Sequence, residues 1–417
     1  MTHEELLRQI LSYDNRADPY PLYSELRRTP VAQGGDGLFV VSTYGEIKGL
    51  LHDPRVSSDA RNLSPGVAGV LLPDEDTSVL PPSFLRLDPP EHDRLRRMTM
   101  RPFGPPETPR RINDMRGELA GIVSGLIDAF GDRKQVDLVD DFSYPFPVTV
   151  ICRLLGVPRE DEARFHTWAD TIAAGLDPVP GQDPEERRRV TQRARTELGA
   201  YLSQLIDERG DAPGDDLLSA LVNQQGPDGR MSRMEVLSTA SLLLIAGHET
   251  TVNLITNGML TLLRNPEVLE RLRADPRLAG PVVEELLRFE PPVHLLPQRT
   301  VLADIDLCGT TITKGSALWL VLASGNRDPR RFADPDLFDP DREDNQHLGF
   351  GSGIHACFGA PLARLEAQIA LTELVRRLDE PRLVEDPPPY RRNAVLRGPR
   401  HLNIAFDGVR DRGLDRD

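Results

Sequence analysis

The ten residues from Phe350 to Gly359 read FGSGIHACFG. Three glycines, Gly351, Gly353 and Gly359, let the backbone approach a partner where any Cβ would collide. Cys357 sits among them. A helical pattern opens directly after it, with Pro361 in the first turn, where a missing N–H costs nothing. Free amides and the dipole at a helix N-terminus favour a thiolate over a thiol. A thiolate so presented can act as a nucleophile or as an axial ligand to iron. His355, two residues earlier, can activate a nucleophile, but that reading leaves the Phe350 and glycine spacing without a reason.

Two further pairs stand at spacings that chemistry can use. Glu285 and Arg288 are three apart, share a helix face and can pair. On a surface such a pair is worth well under ~1 kcal/mol. Glu249 and Thr250 follow the small residues Ala246 and Gly247 in a long helical stretch. A mid-helix threonine can bond the carbonyl four residues back, here that of Ala246, and bend the helix. Taken alone, an adjacent Glu and Thr in a helix is as readily an exposed face beside a core threonine.

Four motifs occur in a fixed order: His92-Asp-Arg-Leu-Arg96 after Asp88-Pro-Pro-Glu, then Ala246-Gly-His-Glu249-Thr250-Thr251, then Glu285-Leu-Leu-Arg288, then Phe350–Gly359. In that order and at that spacing the chain resembles the soluble bacterial, actinobacterial-like cytochromes P-450, over roughly residues 15 to 406. The resemblance implies a mainly α, single-domain fold over 1–417 with a small β region and a buried haem b. Cys357 is then the iron's axial ligand, on a loop in which Phe350, Gly351 and Gly359 contact the cofactor. His92, Arg96, Arg299 and His355 anchor the propionates. Glu285 and Arg288 become a buried structural pair behind the haem loop. Ala246 leaves room for dioxygen, and Glu249 and Thr250 form the acid–alcohol pair that relays protons. One departure stands out. Leu337, in Pro335-Asp-Leu337-Phe338, occupies the place where the family usually has a third, arginine partner, and Arg342 or Arg327-Asp328 can substitute, with Arg342 preferred.

The implied reaction consumes a substrate, O₂, two electrons and two protons, giving an alcohol and water. The same centre also serves epoxidation, C–C coupling and dealkylation. A non-catalytic interaction protein on this fold would be expected to lose the cysteine, the Glu–Arg pair or the acid–alcohol pair, and all three are present. Electrons are expected from a separate ferredoxin and reductase. Arg94, Arg97 and Arg101, with Arg364, form the expected basic docking patch. The pocket regions 61–84, 163–182, 242–247, 293–297 and 394–396 are mainly apolar, with Leu242, Ile245, Val293 and Leu295 as candidate contacts. A medium-sized lipophilic substrate fits them, such as a polyketide or terpenoid secondary metabolite.

These residues must be positioned by helices. Apolar periodicity predicts them over Glu118–Ala129, Glu185–Glu208, Ser232–Arg264, Pro266–Ala274, Pro281–Phe289 and Leu362–Leu378. Asn265-Pro266 and Asp275-Pro276 supply breaks. Strands are expected at Leu38–Ser42, Leu302–Leu307 turning at Cys308-Gly309 into Thr310–Ile312, Ala317–Leu322 and Leu402–Phe406. The stretches 61–84, 176–184 and 326–353 read as irregular, and a loop as long as the last usually has a function.

Composition narrows the classes. No linker divides the 417 residues. The formal net charge of −15 argues against nucleic acid, and no apolar run approaches the ~20 residues of a membrane span. A cytoplasmic, monomeric protein is expected. Only Lys48, Lys134 and Lys314 are lysines; the arginine excess fits a GC-rich genome. Cys152, Cys308 and Cys357 are too few and too scattered for a disulfide framework.

Overall fold

A computed structural model describes residues 2–35, 37–67, 82–104, 108, 110–175 and 183–411. Parts of the expected irregular and pocket regions, 68–81 and 176–182, lie outside the described residues.

The molecule is organised around one helix, Arg233–Arg264, here called the distal helix. Ser232 starts it with a reciprocal cap: its hydroxyl accepts from the Glu235 amide, and the Glu235 carboxylate accepts from the Ser232 amide. It stops at Asn265, whose φ of −127° and ψ of 69° are non-helical because Pro266 follows. Of its 32 residues 22 are buried, on most of its circumference, so the helix runs through the core. It packs on the helices Pro145–Leu154, Pro184–Asp211, Ala279–Phe289 and Ala360–Arg377. Gly258 permits the close approach: a Cβ there would lie 3.0 Å from both Leu286 and Leu371.

A five-stranded sheet flanks this helical body in the order Val31–Gly35, Leu38–Val41, Ala317–Leu320, Leu296–Val301, Val56–Ser57. The Leu38–Val41 and Ala317–Leu320 strands are parallel, and the other pairs are antiparallel. The hairpin Ile305–Leu307/Thr310–Ile312 turns through Cys308 and Gly309, both at positive φ. A smaller sheet joins Arg382–Leu383, Asn403–Ala405 and Gln135–Asp137.

Residues 326–352 hold little regular structure, yet the segment is tied down. Asn326 donates to the Leu287 carbonyl at 3.2 Å and accepts from the Leu348 amide at 2.6 Å. The Asp328 carboxylate accepts from the Tyr44 amide at 3.0 Å. Side chains thus replace the missing backbone ladder and bring the following loop beneath the distal helix. Among the described residues, no helix is long and apolar enough to cross a membrane.

Candidate active site

A cavity of about 260 Å³ lies between the distal helix and the loop 349–359. Leu242, Leu243, Ala246, Gly247, Thr250 and Thr251 line it from above; Phe350, Gly351 and residues 355–359 line it from below. The Cys357 amide donates to the Phe350 carbonyl at 2.8 Å, closing the loop on itself. Gly351 and Gly353 take φ of +67° and +71°, a region that suits glycine. A Cβ on Gly353 would come within 2.2 Å of the Leu51 carbonyl oxygen, so the partner that glycine must approach is the protein's own backbone.

Cys357 has accessible surface although it sits deep in the molecule, because that surface faces the cavity. Burial pushes its thiol pKa up, against the pull of the Gly359 and Ala360 amides and of Arg96 and Arg364. Those amides open the helix Ala360–Arg377, with Pro361 in its first turn as expected. The sulfur is held as a thiolate most easily when a cation is bound to it.

Cations gather at one edge of the cavity. Arg96 and Arg299 line it, and Arg96 donates to the Ala356 carbonyl at 2.7 Å. Burial lowers the pKa of Arg96, and pushes that of Arg299 down to about 10 despite Asp88. His92 and His355 stack with ring centroids 4.3 Å apart. Burial, then Arg299, His92 and Arg96, push the His355 pKa down to about 3. His92 Nε2 and His355 Nδ1 are buried with no hydrogen-bond partner among the described residues. Two orphaned ring nitrogens beside the buried Arg299 and the half-buried Arg96 guanidinium groups fit carboxylates, which would accept from all four. The residues present therefore fit a haem, with a sulfur donor on the cavity floor and propionate partners at its edge.

Glu285 and Arg288, expected as a buried pair, are fully buried and bidentate, at 2.6 and 2.8 Å. Arg288 also donates to the carbonyls of Asn326, Pro335 and Leu337. Glu285 accepts further from the Asp339 amide at 2.9 Å and from Asn345 at 3.1 Å. Of the two candidates for the third partner, Arg342 reaches Glu285, at 3.5 Å; Arg327 instead binds Glu290, Asp336 and the Phe289 carbonyl. Leu337 turns its side chain outward, 57% exposed.

On the distal helix, the Thr250 hydroxyl donates to the Ala246 carbonyl at 2.8 Å, as its position predicts. Thr250 lines the cavity, whereas Glu249 does not; it is buried beside the cavity and ion-paired with Arg391 at 3.1 Å. Two expected pocket contacts need correction. Ile245 lies about 100° around the helix from Ala246 and does not line the cavity. Leu295 is buried in the N-terminal core with Ile10 and Tyr23, while its neighbour Leu296, facing the other way, lines the wall beside Val293. The sequence reading also passed over Glu366. This carboxyl lines the cavity, hydrogen-bonds Thr251, and has its pKa pushed up to about 8 by burial. Its position two turns into the helix after Cys357, on the face toward the distal helix, is the signal that could have found it.

The expected docking arginines are less positive than their number implies. Arg97 and Arg101 share Asp228, at 2.9 and 3.0 Å, Arg94 pairs with Glu235, and Arg364 binds Glu284 at 2.6 Å while lying over the Phe350 ring. These four arginines have three carboxylate partners among the described residues, so the expected patch is largely but not fully neutralised.

Comparison with known proteins agrees with this geometry. The cytochrome P450 family model matches residues 31–406. The cytochrome P450 monooxygenase PikC of Streptomyces venezuelae is 41% identical, over 97% of this chain and 94% of its own. The 6-deoxyerythronolide B hydroxylase of Saccharopolyspora erythraea is 38% identical, over 94% and 96%. The solved structure of the bacillaene polyketide synthase cytochrome P450 PksS from Bacillus subtilis superposes with a TM-score of 0.86 at 30% identity, covering 97% of this chain and 100% of that one. On the family match over residues 31–406, the identity to these relatives and the shared fold, the chain belongs to the cytochrome P450 family of haem-thiolate oxidoreductases, which use dioxygen and electrons.

Proposed function

We propose that Cys357 is the thiolate that would hold the iron of haem b in this cavity. The protein then inserts one oxygen atom of dioxygen into a medium-sized lipophilic metabolite, most readily a polyketide of macrolactone size. The single observation that carries the reading is the juxtaposition of a cavity-facing cysteine sulfur, an apolar wall and a threonine hydroxyl around one cavity. Two of the relatives described above carry hydroxylation of 6-deoxyerythronolide B and polyketide synthesis in their names, which supports the substrate class.

When bound, the haem supplies dioxygen activation, and a thiolate ligand favours O–O cleavage. The chain's own groups do the rest. The Gly359 and Ala360 amides, with Arg96 and Arg364, stabilise negative charge on Cys357 Sγ. Arg96, Arg299, His92 and His355 would hold the propionates of the bound haem. Leu242, Leu243, Ala246, Val293 and Leu296 exclude water and hold the lipophilic substrate. Thr250 Oγ1, whose own proton goes to the Ala246 carbonyl, presents acceptor lone pairs at the cavity wall that can order a proton-carrying water, and Glu249 supplies protons from behind. Electrons come from a separate ferredoxin and reductase in the cytosol, docking near Arg94, Arg97, Arg101 and Arg364.

Turnover of 6-deoxyerythronolide B and related macrolactones under heavy-isotope dioxygen, with a surrogate ferredoxin and reductase, tests this. Product carrying one heavy oxygen atom is expected. Product whose new oxygen comes from water would overturn it.

A further inference from the structure

One wall of the cavity is made by Pro292, Val293 and Leu296. The chain here runs from the helix Ala279–Phe289 to the strand Leu296–Val301, and an isolated bridge from Val293 to Leu396 takes the place of a continuous ladder. The wall's position is therefore set by what stands behind it. His294 and Leu295 turn away from the cavity, and both are buried against Tyr20 and Tyr23 in the N-terminal core.

The helix Tyr20–Leu26 supplies that support. Tyr20 and Tyr23 stand three apart, share a helix face and bring both rings to His294, with centroids 5.8 and 5.7 Å away. The Tyr23 hydroxyl meets His294 Nδ1 at 2.9 Å, and the Tyr20 hydroxyl donates to the Phe289 carbonyl at 2.9 Å. The C-terminal arm closes on the same segment. The Arg397 amide donates to the Pro292 carbonyl at 2.9 Å, and the His294 amide donates to the Val395 carbonyl at 2.9 Å. Arg397 then runs back into the N-terminal segment, donating to the Arg16 and Ala17 carbonyls at 2.8 and 2.7 Å and pairing with Glu290.

His294 has no accessible surface, and Nε2 has no hydrogen-bond partner among the described residues, so the Tyr23 hydroxyl is what orients the ring. Burial, then Arg397, Arg16 and Arg327, hold the imidazole pKa well below its usual range, and burial pushes the Tyr23 hydroxyl up. Both groups are thus neutral, and their bond does not depend on pH near neutrality.

We propose that Tyr23 and His294, neither of which lines the cavity, set the position of its Val293–Leu296 wall and thereby the size of ligand that the cavity accepts. Both are positioning residues. A close-packed interior passes strain on rather than absorbing it, so loosening the ring behind the wall is felt by a ligand that presses on the wall. A ligand too small to reach it feels nothing. The inference rests on the reading of this cavity as the haem and substrate site, given above.

Azoles test this, because they bind haem iron through nitrogen whatever the natural substrate. Holoenzyme is titrated with imidazole, too small to reach the wall, and with econazole, bulky enough to press on it, while the Soret band is followed. Tyr23→Phe and His294→Leu are expected to weaken econazole binding about threefold or more and to leave imidazole binding near wild type. His294→Asn, which keeps an acceptor near the place of Nδ1, should retain the wild-type ratio. A merely structural role would lower the unfolding temperature and weaken both azoles alike. Econazole binding that is unchanged in Tyr23→Phe and His294→Leu, or that falls in step with imidazole, overturns the positioning role and leaves the cavity reading standing. A wild type whose Soret band responds to neither azole overturns both.

Discussion

Arg342 Nε lies 3.5 Å from Glu285 Oε1, while Leu337, five residues earlier, gives the buried pair only its carbonyl, which accepts from Arg288 at 2.9 Å. The third partner, a second cation, therefore reaches Glu285 from farther along the loop. Its guanidinium also binds the Ala333 and Asp334 carbonyls, pinning the segment that precedes the haem loop.

Arg342→Ala is accordingly expected to cost about 1–2 kcal/mol and to loosen haem retention. Glu285→Ala or Arg288→Ala, which strands a buried charge, is expected to cost about 3–5 kcal/mol. Chemical denaturation and haem content after gel filtration measure both. Wild-type haem retention in Arg342→Ala would remove it from the triad.

Glu366 gives a pH dependence whose sign follows from burial. Its pKa is raised from 4.5 to about 8, so the folded chain binds the proton more tightly than the unfolded chain. The stability it contributes is complete below about pH 4.5 and is lost as pH rises toward 8. Denaturation of wild type and Glu366→Gln between pH 5 and 9 should show wild type losing on the order of a few kcal/mol relative to the variant. Parallel profiles would mean that this carboxyl is ionised in the folded protein.

The central site was legible because its motifs are local. A cysteine, its glycines, the ExxR spacing and a threonine four residues after a small residue each act within one or two turns, and one-dimensional spacing reports them. What is held by distant chain was not legible. Arg391 meets Glu249 across more than a hundred residues, and Asp228 neutralises Arg97 and Arg101 from a different loop. Long periodic helices were foreseen to within a few residues. The helix Pro145–Leu154 was not: its sequence, PFPVTVICRL, is apolar nearly throughout and rich in β-branched residues, so no helical period stands out. Leu295 and Ile245 show the same limit, since facing depends on where a strand or helix sits relative to the cavity.

Asp228 offers a test of the electron donor's docking face. Asp228→Asn frees two arginines without disturbing the cavity, and is expected to speed ferredoxin-supported reduction at low salt about twofold or more. The gain should shrink as salt rises. Stopped-flow reduction rates across an ionic-strength series measure this, and a salt-independent rate equal to wild type would place docking elsewhere.

The claim on which the rest depends is that Cys357 Sγ coordinates iron. The absorption spectrum of reduced, CO-bound protein reads that bond directly, because thiolate coordination shifts the CO band far to the red. Wild type is expected to show the shifted band, and Cys357→Ala either to carry no haem or to bind haem without that band. The shifted band persisting in Cys357→Ala would contradict the assignment.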